Sequence, residues 1–127
     1  MKIKVAATQM SCDWEIENNI KKSINLIEKA AEQGANIILL QELFQTPYFC
    51  IQYDEEIFKL AQTFENNTLI NKMSEVAKKH KVVLPISFFE KDNNAYFNSI
   101  AVIDADGKVL GKYRKSHIPD GAGYLEK

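Results

Sequence analysis

Cysteine is scarce. Cys12 and Cys50 are the only two among 127 residues. That is too few for the disulfide framework of a small secreted scaffold, and a reducing cytoplasm is the simplest compartment. Excess charge is missing as well. The 16 Lys and Arg face 17 Asp and Glu, a formal net charge of −1. No bulk field draws such a chain to nucleic acid or to an anionic membrane. The longest apolar run, Ile37-Ile38-Leu39-Leu40, is far short of the ~20 residues that cross a bilayer. Met1-Lys2-Ile3-Lys4-Val5 turns polar by Thr8-Gln9, so no signal-peptide core follows the lysines. Internal repeats, low-complexity tracts and flexible linkers are absent too. What remains is ordinary: 46% hydrophobic and 26% charged residues. Those values suit a soluble globular domain and exclude a disordered chain.

The pattern alternates strand and helix and then turns to a hairpin. Ile3, Val5 and Ala7 alternate with polar or small residues, which predicts a first strand. Acidic residues between Asp13 and Glu17 mark a helix start. Ile20, Ile24, Ile27 and Ala31 then line one helical face, and Gly34 sits where a C-terminal cap glycine belongs. Ala35 to Leu40 reads as a strand buried on both faces. After a long loop, Thr68 is placed to cap a second helix whose Leu69, Met73, Val76, Ala77 and His80 share a face. Val82 to Phe89 reads as a third strand. Phe97 to Ile103 and Lys108 to Tyr113 flank the turn signal Asp104-Ala105-Asp106-Gly107. The fold class is therefore α/β. Two helices can cover only one face of such a sheet, so more chain or another subunit is expected on the other.

Two residues stand where chemistry is possible. Glu42 directly follows the buried strand, and α/β sheets bind ligands beyond the carboxyl ends of their strands. Ringed by Leu and Phe, its carboxylate is expected to be desolvated and suited to general-base work. The plainer alternative is a loop carboxylate paired with a lysine, or a helix cap. Lys115 ends the last strand, where an ammonium can hold a developing oxyanion. Its plainer alternative is a solvated basic edge strand. Lys108, Lys112, Arg114 and Lys115 form a basic cluster, but no glycine-rich cradle or interleaved aromatic accompanies it, which argues against nucleic acid. Cys12 and Cys50 lack a neighbouring histidine motif and read as buried, inert thiols. His80 and His117 are too far apart in sequence for metal-ligand spacing, and His80 reads as a helix-end cap.

Three segments together resemble the N-terminal half of the nitrilase superfamily of carbon–nitrogen hydrolases. They are Lys4-Val5-Ala6-Ala7-Thr8-Gln9, the run from Gly34 to Phe44 containing Leu40-Gln41-Glu42-Leu43, and Tyr113-Arg114-Lys115-Ser116-His117-Ile118-Pro119-Asp120-Gly121. The likeness covers essentially the whole chain. It implies part of a four-layer α-β-β-α sandwich, with residues 1–127 as the N-terminal portion of one hydrolase domain. Leu43 to Cys50, Pro85 to Glu90 and Ser116 to Tyr124 look most like the branch that acts on N-carbamoylputrescine. That branch releases putrescine, ammonia and carbon dioxide in polyamine synthesis.

By this resemblance Glu42 is the general base and Lys115 stabilises the tetrahedral intermediates. Glu126 matches a second glutamate that positions groups or handles protons, and Tyr48 and Tyr124 line the pocket against a cationic diamine. No metal or cofactor is implied, and the partners are a small-molecule substrate and further copies of the chain in a homo-oligomer. The family's nucleophile is a cysteine downstream of the second glutamate. Neither Cys12 nor Cys50 occupies that place, so the chain is expected to need a C-terminal half and to lack activity alone. Its apolar surface is expected to make it associate. Relatives acting on β-ureidopropionate, on D-carbamoyl amino acids or on ω-amides would share the same Glu-Lys-Cys set. A non-catalytic α/β interaction domain is the alternative of a different class.

Overall fold

A computed structural model describes residues 1–52 and 54–119. The first strand, β1, is Val5–Ala7, and helix α1 is Ile16–Glu32. Strand β2 follows at Ile37–Leu39. The long connection after it holds two short 3-10 segments, Phe49–Ile51 and Glu55–Leu60. Helix α2 is Thr68–His80, and β3, β4 and β5 are Leu84–Asp92, Ala95–Ile103 and Val109–Arg114.

β1 and β2 pair in parallel, and β3, β4 and β5 form an antiparallel meander. A parallel bridge from Ile37 to Val83 joins the two groups. The Ile38 N–H donates to the Val83 carbonyl at 3.0 Å, and the Val83 N–H donates to the Asn36 carbonyl at 2.8 Å. The strands therefore lie side by side in chain order.

Local chemistry sets the element ends. Gly34, with φ of +85°, lets its N–H reach the Ala31 carbonyl while the Ala35 N–H reaches that of Ala30. This pair of bonds is a Schellman motif and satisfies the last carbonyls of α1. The predicted cap of α2 is displaced by one residue. Asn67, not Thr68, caps it, accepting from the Ile70 N–H at 3.1 Å. Thr68 is the first helical residue and donates its hydroxyl to Gln62 Oε1. Lys81 ends the helix in the left-handed region, φ 54°. His80 does not act as the predicted cap but sets Nε2 3.4 Å from Glu28 Oε1 on α1. A second hairpin turn, at Asn93-Asn94, escaped the sequence pattern. Asn93 takes φ of +52° there, a conformation asparagine tolerates.

Both helices pack on one face of the sheet. Ile20 and Ile27 of α1, and Leu69 and Met73 of α2, meet Ile38, Leu84, Ile86, Phe88, Ala101 and Ile103. Alternation then points the intervening residues the other way. The expectation that Ala35 to Leu40 is buried on both faces is therefore not met among the described residues. Ile38 is fully buried, whereas Leu39 is 46% exposed. Val5, Leu110 and Tyr113 are exposed large side chains. Among the described residues nothing covers this second face, in agreement with the two-helix argument from sequence.

A buried charge cluster fastens the far edge. Glu90 is 1% exposed on the helix-facing side of β3. Arg114 Nε and Nη2 donate to its two oxygens at 3.0 and 2.8 Å, and Lys112 Nζ and Ser99 Oγ donate to it as well. Arg114 also reaches Asp92 at 2.6 Å and lies 3.9 Å above the Phe97 ring. Burial pushes the Glu90 carboxyl up, but the bonds from Arg114, Lys112 and Ser99 outweigh it and bring it down to about 2. Lys112 and Arg114 are thus committed to this cluster.

Candidate active site

Glu42 opens a tight turn directly beyond the carboxyl end of β2. Several buried groups hold this turn. Leu43 has φ of +52°, an uncommon conformation for a branched side chain, and its N–H donates to Ser87 Oγ of β3 at 2.9 Å. Asn19 of α1, fully buried, donates to the Gln45 carbonyl at 2.9 Å and to the Asp13 carbonyl at 2.6 Å. Cys12 Sγ donates to the Phe44 carbonyl at 3.3 Å. Gln41 imitates one more rung of the parallel ladder. Its Oε1 accepts from Met10 N–H at 2.9 Å and its Nε2 donates to Met10 carbonyl at 3.0 Å. The turn is therefore fixed from β3, from α1 and from the β1–α1 loop at once.

Lys115 follows the last residue of β5. Its N–H donates to the Asn98 carbonyl at 2.8 Å, which continues the β4–β5 ladder. Arg114 is opposite Ser99 and turns to the Glu90 cluster, so alternation sends Lys115 to the uncovered face. Lys115 Nζ there lies 3.2 Å from Glu42 Oε1. These groups are 73 positions apart in the chain. Asn98 Nδ2 donates to the same oxygen at 2.6 Å.

A depression lined by Leu39, Glu42, Ser87, Asn98, Tyr113 and Lys115 surrounds the pair. The expectation of a desolvated Glu42 is not met by the described residues, because its side chain is 45% exposed. The reason is the bare sheet face beside it. Such a site offers a carboxylate to take a proton and an ammonium to meet an oxyanion, side by side.

The other sequence candidates fall elsewhere. Tyr48 is half-buried against the Leu43, Phe49, Cys50 and Ile57 cluster and does not border the depression. Tyr124 and Glu126 lie outside the described residues. Cys50 is buried. The Cys12 thiol is pushed up by burial, which Asp13 adds to and Lys22 opposes, so it is a poor nucleophile where it sits. Among the described residues no group of three or more His, Cys, Asp or Glu could hold a metal, and no helix is long and apolar enough to cross a membrane.

Asn98, Ser87 and Asn19 were not picked out from sequence. The signal for Asn98 was available, since Asn98-Ser99 interrupts an apolar strand with two adjacent polar residues. Buried polar groups of this kind need partners.

Comparison with known proteins gives the family. The family model for carbon-nitrogen hydrolases matches residues 4–127. An N-carbamoylputrescine amidase of Arabidopsis thaliana is 50% identical over 125 residues, covering 98% of this chain and 42% of that protein. A citrullinase of Francisella tularensis is 47% identical, covering 98% of this chain and 44% of that protein. The crystal structure of a carbon-nitrogen hydrolase from Helicobacter pylori G27 superposes with a TM-score of 0.88 at 35% identity, over 98% of this chain and 43% of that one. The chain thus spans less than half the length of these relatives. Its helix layer on a single sheet matches one side of an α-β-β-α sandwich. A Glu42–Lys115 pair on the open face, within a sequence matched almost end to end, places this chain in the carbon–nitrogen hydrolase family, the nitrilase superfamily.

Proposed function

We propose that residues 1–127 are the N-terminal portion of a carbon–nitrogen hydrolase domain that cleaves a carbamoyl C–N bond, with N-carbamoylputrescine as substrate. The products would be putrescine, ammonia and carbon dioxide, a step toward polyamines. The observation that carries this reading is the meeting of Lys115 Nζ and Glu42 Oε1 at 3.2 Å. A urea-like carbonyl is a poor electrophile, so its hydrolysis needs a strong nucleophile and a cationic clamp on the oxyanion. Glu42 takes the proton of a cysteine thiol, and the sulfur attacks the carbonyl carbon. Lys115 stabilises the tetrahedral oxyanion. Glu42 returns the proton to the departing nitrogen and ammonia leaves. Glu42 then takes a proton from the water that displaces sulfur, and the putrescine carbamate so released loses carbon dioxide to give putrescine.

The thiol comes from outside residues 1–127, in the C-terminal half that the uncovered face receives. Glu126 is assigned a positioning or proton-handling role, and Tyr124 supplies an aromatic face for a cationic chain. Assembly into a homo-oligomer in the cytoplasm completes the proposal. The test joins this chain to the C-terminal remainder of the Arabidopsis relative. Ammonia release is followed with N-carbamoylputrescine, citrulline, β-ureidopropionate, a D-carbamoyl amino acid and an ω-amide. The expected result is turnover of N-carbamoylputrescine before the others. Glu42→Gln and Lys115→Met should each lower it by at least ~10³-fold, and the 127-residue chain alone should be inactive. Another preferred substrate would overturn the substrate assignment. Activity indifferent to Glu42 and Lys115 would overturn the mechanism.

A further inference from the structure

We propose that Asn98 is a positioning residue that decides which oxygen of Glu42 does the chemistry. This rests on the general-base reading of Glu42 and goes one atom further. The side-chain amide of Asn98 and the ammonium of Lys115 both bind Oε1, at 2.6 and 3.2 Å. Among the described residues Oε2 has no hydrogen-bond partner. Oε1 is therefore the tethered oxygen, and Oε2 is the one left to accept a proton.

Asn98 is built for this task. It is 8% exposed, so its amide must be satisfied where it stands. Its position on β4, opposite Phe89 of β3, is fixed by the ladder. Its carbonyl accepts the Lys115 N–H at 2.8 Å while its Nδ2 holds Glu42. One residue thereby sets the spacing of the acid–base pair through backbone and side chain together. A neutral donor on Oε1 also leaves Lys115, among the described residues, as the single cation on the carboxylate. In the proposed reaction the thiol proton passes to Oε2 and the sulfur keeps the bonding pair for attack on the carbonyl carbon. No oxidant or further reactant is needed.

The first arm uses the 127-residue chain. In a ¹H–¹⁵N spectrum one Asn98 amide proton should lie downfield, shift in Glu42→Ala and persist in Lys115→Met. An Asn98 amide insensitive to Glu42→Ala would overturn the proposal. The second arm uses the joined enzyme described above. Asn98→Leu, close in volume, and Asn98→Asp, close in shape but without the donor, should each lower kcat by about 100-fold and leave KM within about twofold. Asn98→Gln, which keeps the amide, should recover part of the loss. A purely structural role would instead lower the melting temperature and leave kcat per folded molecule unchanged, which overturns the proposal. Loss of activity in Glu42→Gln with full kcat in both Asn98 variants would sink this inference alone. Full activity in Glu42→Gln would sink the general-base reading and this inference with it.

Discussion

Replacing Arg114 by Met tests whether the Glu90 cluster holds the edge of the sheet. Arg114 gives Glu90 two bonds, at 3.0 and 2.8 Å, and Asp92 a third at 2.6 Å. Removing one partner of a buried ion pair costs about 3–5 kcal/mol. Lys112 remains against Glu90, so the lower end applies, about 3 kcal/mol. The lowered Glu90 carboxyl gives a comparable size for the cluster as a whole. The Glu90 carboxyl falls from 4.5 to about 2 in the folded chain, which corresponds to about 3 kcal/mol at neutral pH. Because the folded value is depressed, this stabilisation is complete above pH 4.5 and is lost as pH falls through about 2. The difference between native chain and Arg114→Met should therefore be largest at pH 7 and shrink steadily below pH 4.5. Urea unfolding followed by far-UV circular dichroism, at pH 7, 4.5 and 2.5, reads this directly. Equal midpoints at pH 7 would refute the idea that the cluster stabilises the fold. A constant difference down to pH 2.5 would refute the assignment to the Glu90 charge. The test bears on function, because Arg114 immediately precedes Lys115.

Two turns give further expectations. Gly107 has φ of +88°, and a Cβ built there would lie 2.8 Å from the Ser74 carbonyl oxygen of α2, so Gly107→Ala should cost about 2–3 kcal/mol through backbone strain plus clash, visible as a lower urea midpoint. Lys81 holds the left-handed position at the end of α2 and its side chain is exposed. Lys81→Gly should therefore raise stability by about 0.5–1 kcal/mol in the same assay, and a lowered midpoint would show that the position is not strained.

Much of the fold was legible from residue order alone, because periodicity reflects which side of an element is buried. The faces of α1 and α2, the Gly34 stop and the hairpin around Asp104 to Gly107 all follow from spacing and turn chemistry. The Glu42 and Lys115 candidates were legible too, from their place at strand ends and from motif resemblance. Their meeting was not, since nothing in a linear pattern specifies a 3.2 Å contact between residues 42 and 115. The buried helpers were illegible for a related reason. Ser87 matters because Leu43 folds back to it, and Asn98 because β4 passes between Glu42 and Lys115. Nothing in the residue order marks Glu90, because only the ladder sets Lys112 and Arg114 against it. The apolar run from Ile37 to Leu40 suits burial on both faces, yet Leu39 is exposed among the described residues. Composition reports a tendency to leave water, whereas exposure depends on what lies opposite. Sequence determined most of the elements, the Gly34 stop and the chemistry available. Tertiary structure alone decided which side chains share an oxygen and which sheet face stays open, because those depend on distances between residues that only the assembled sheet brings together.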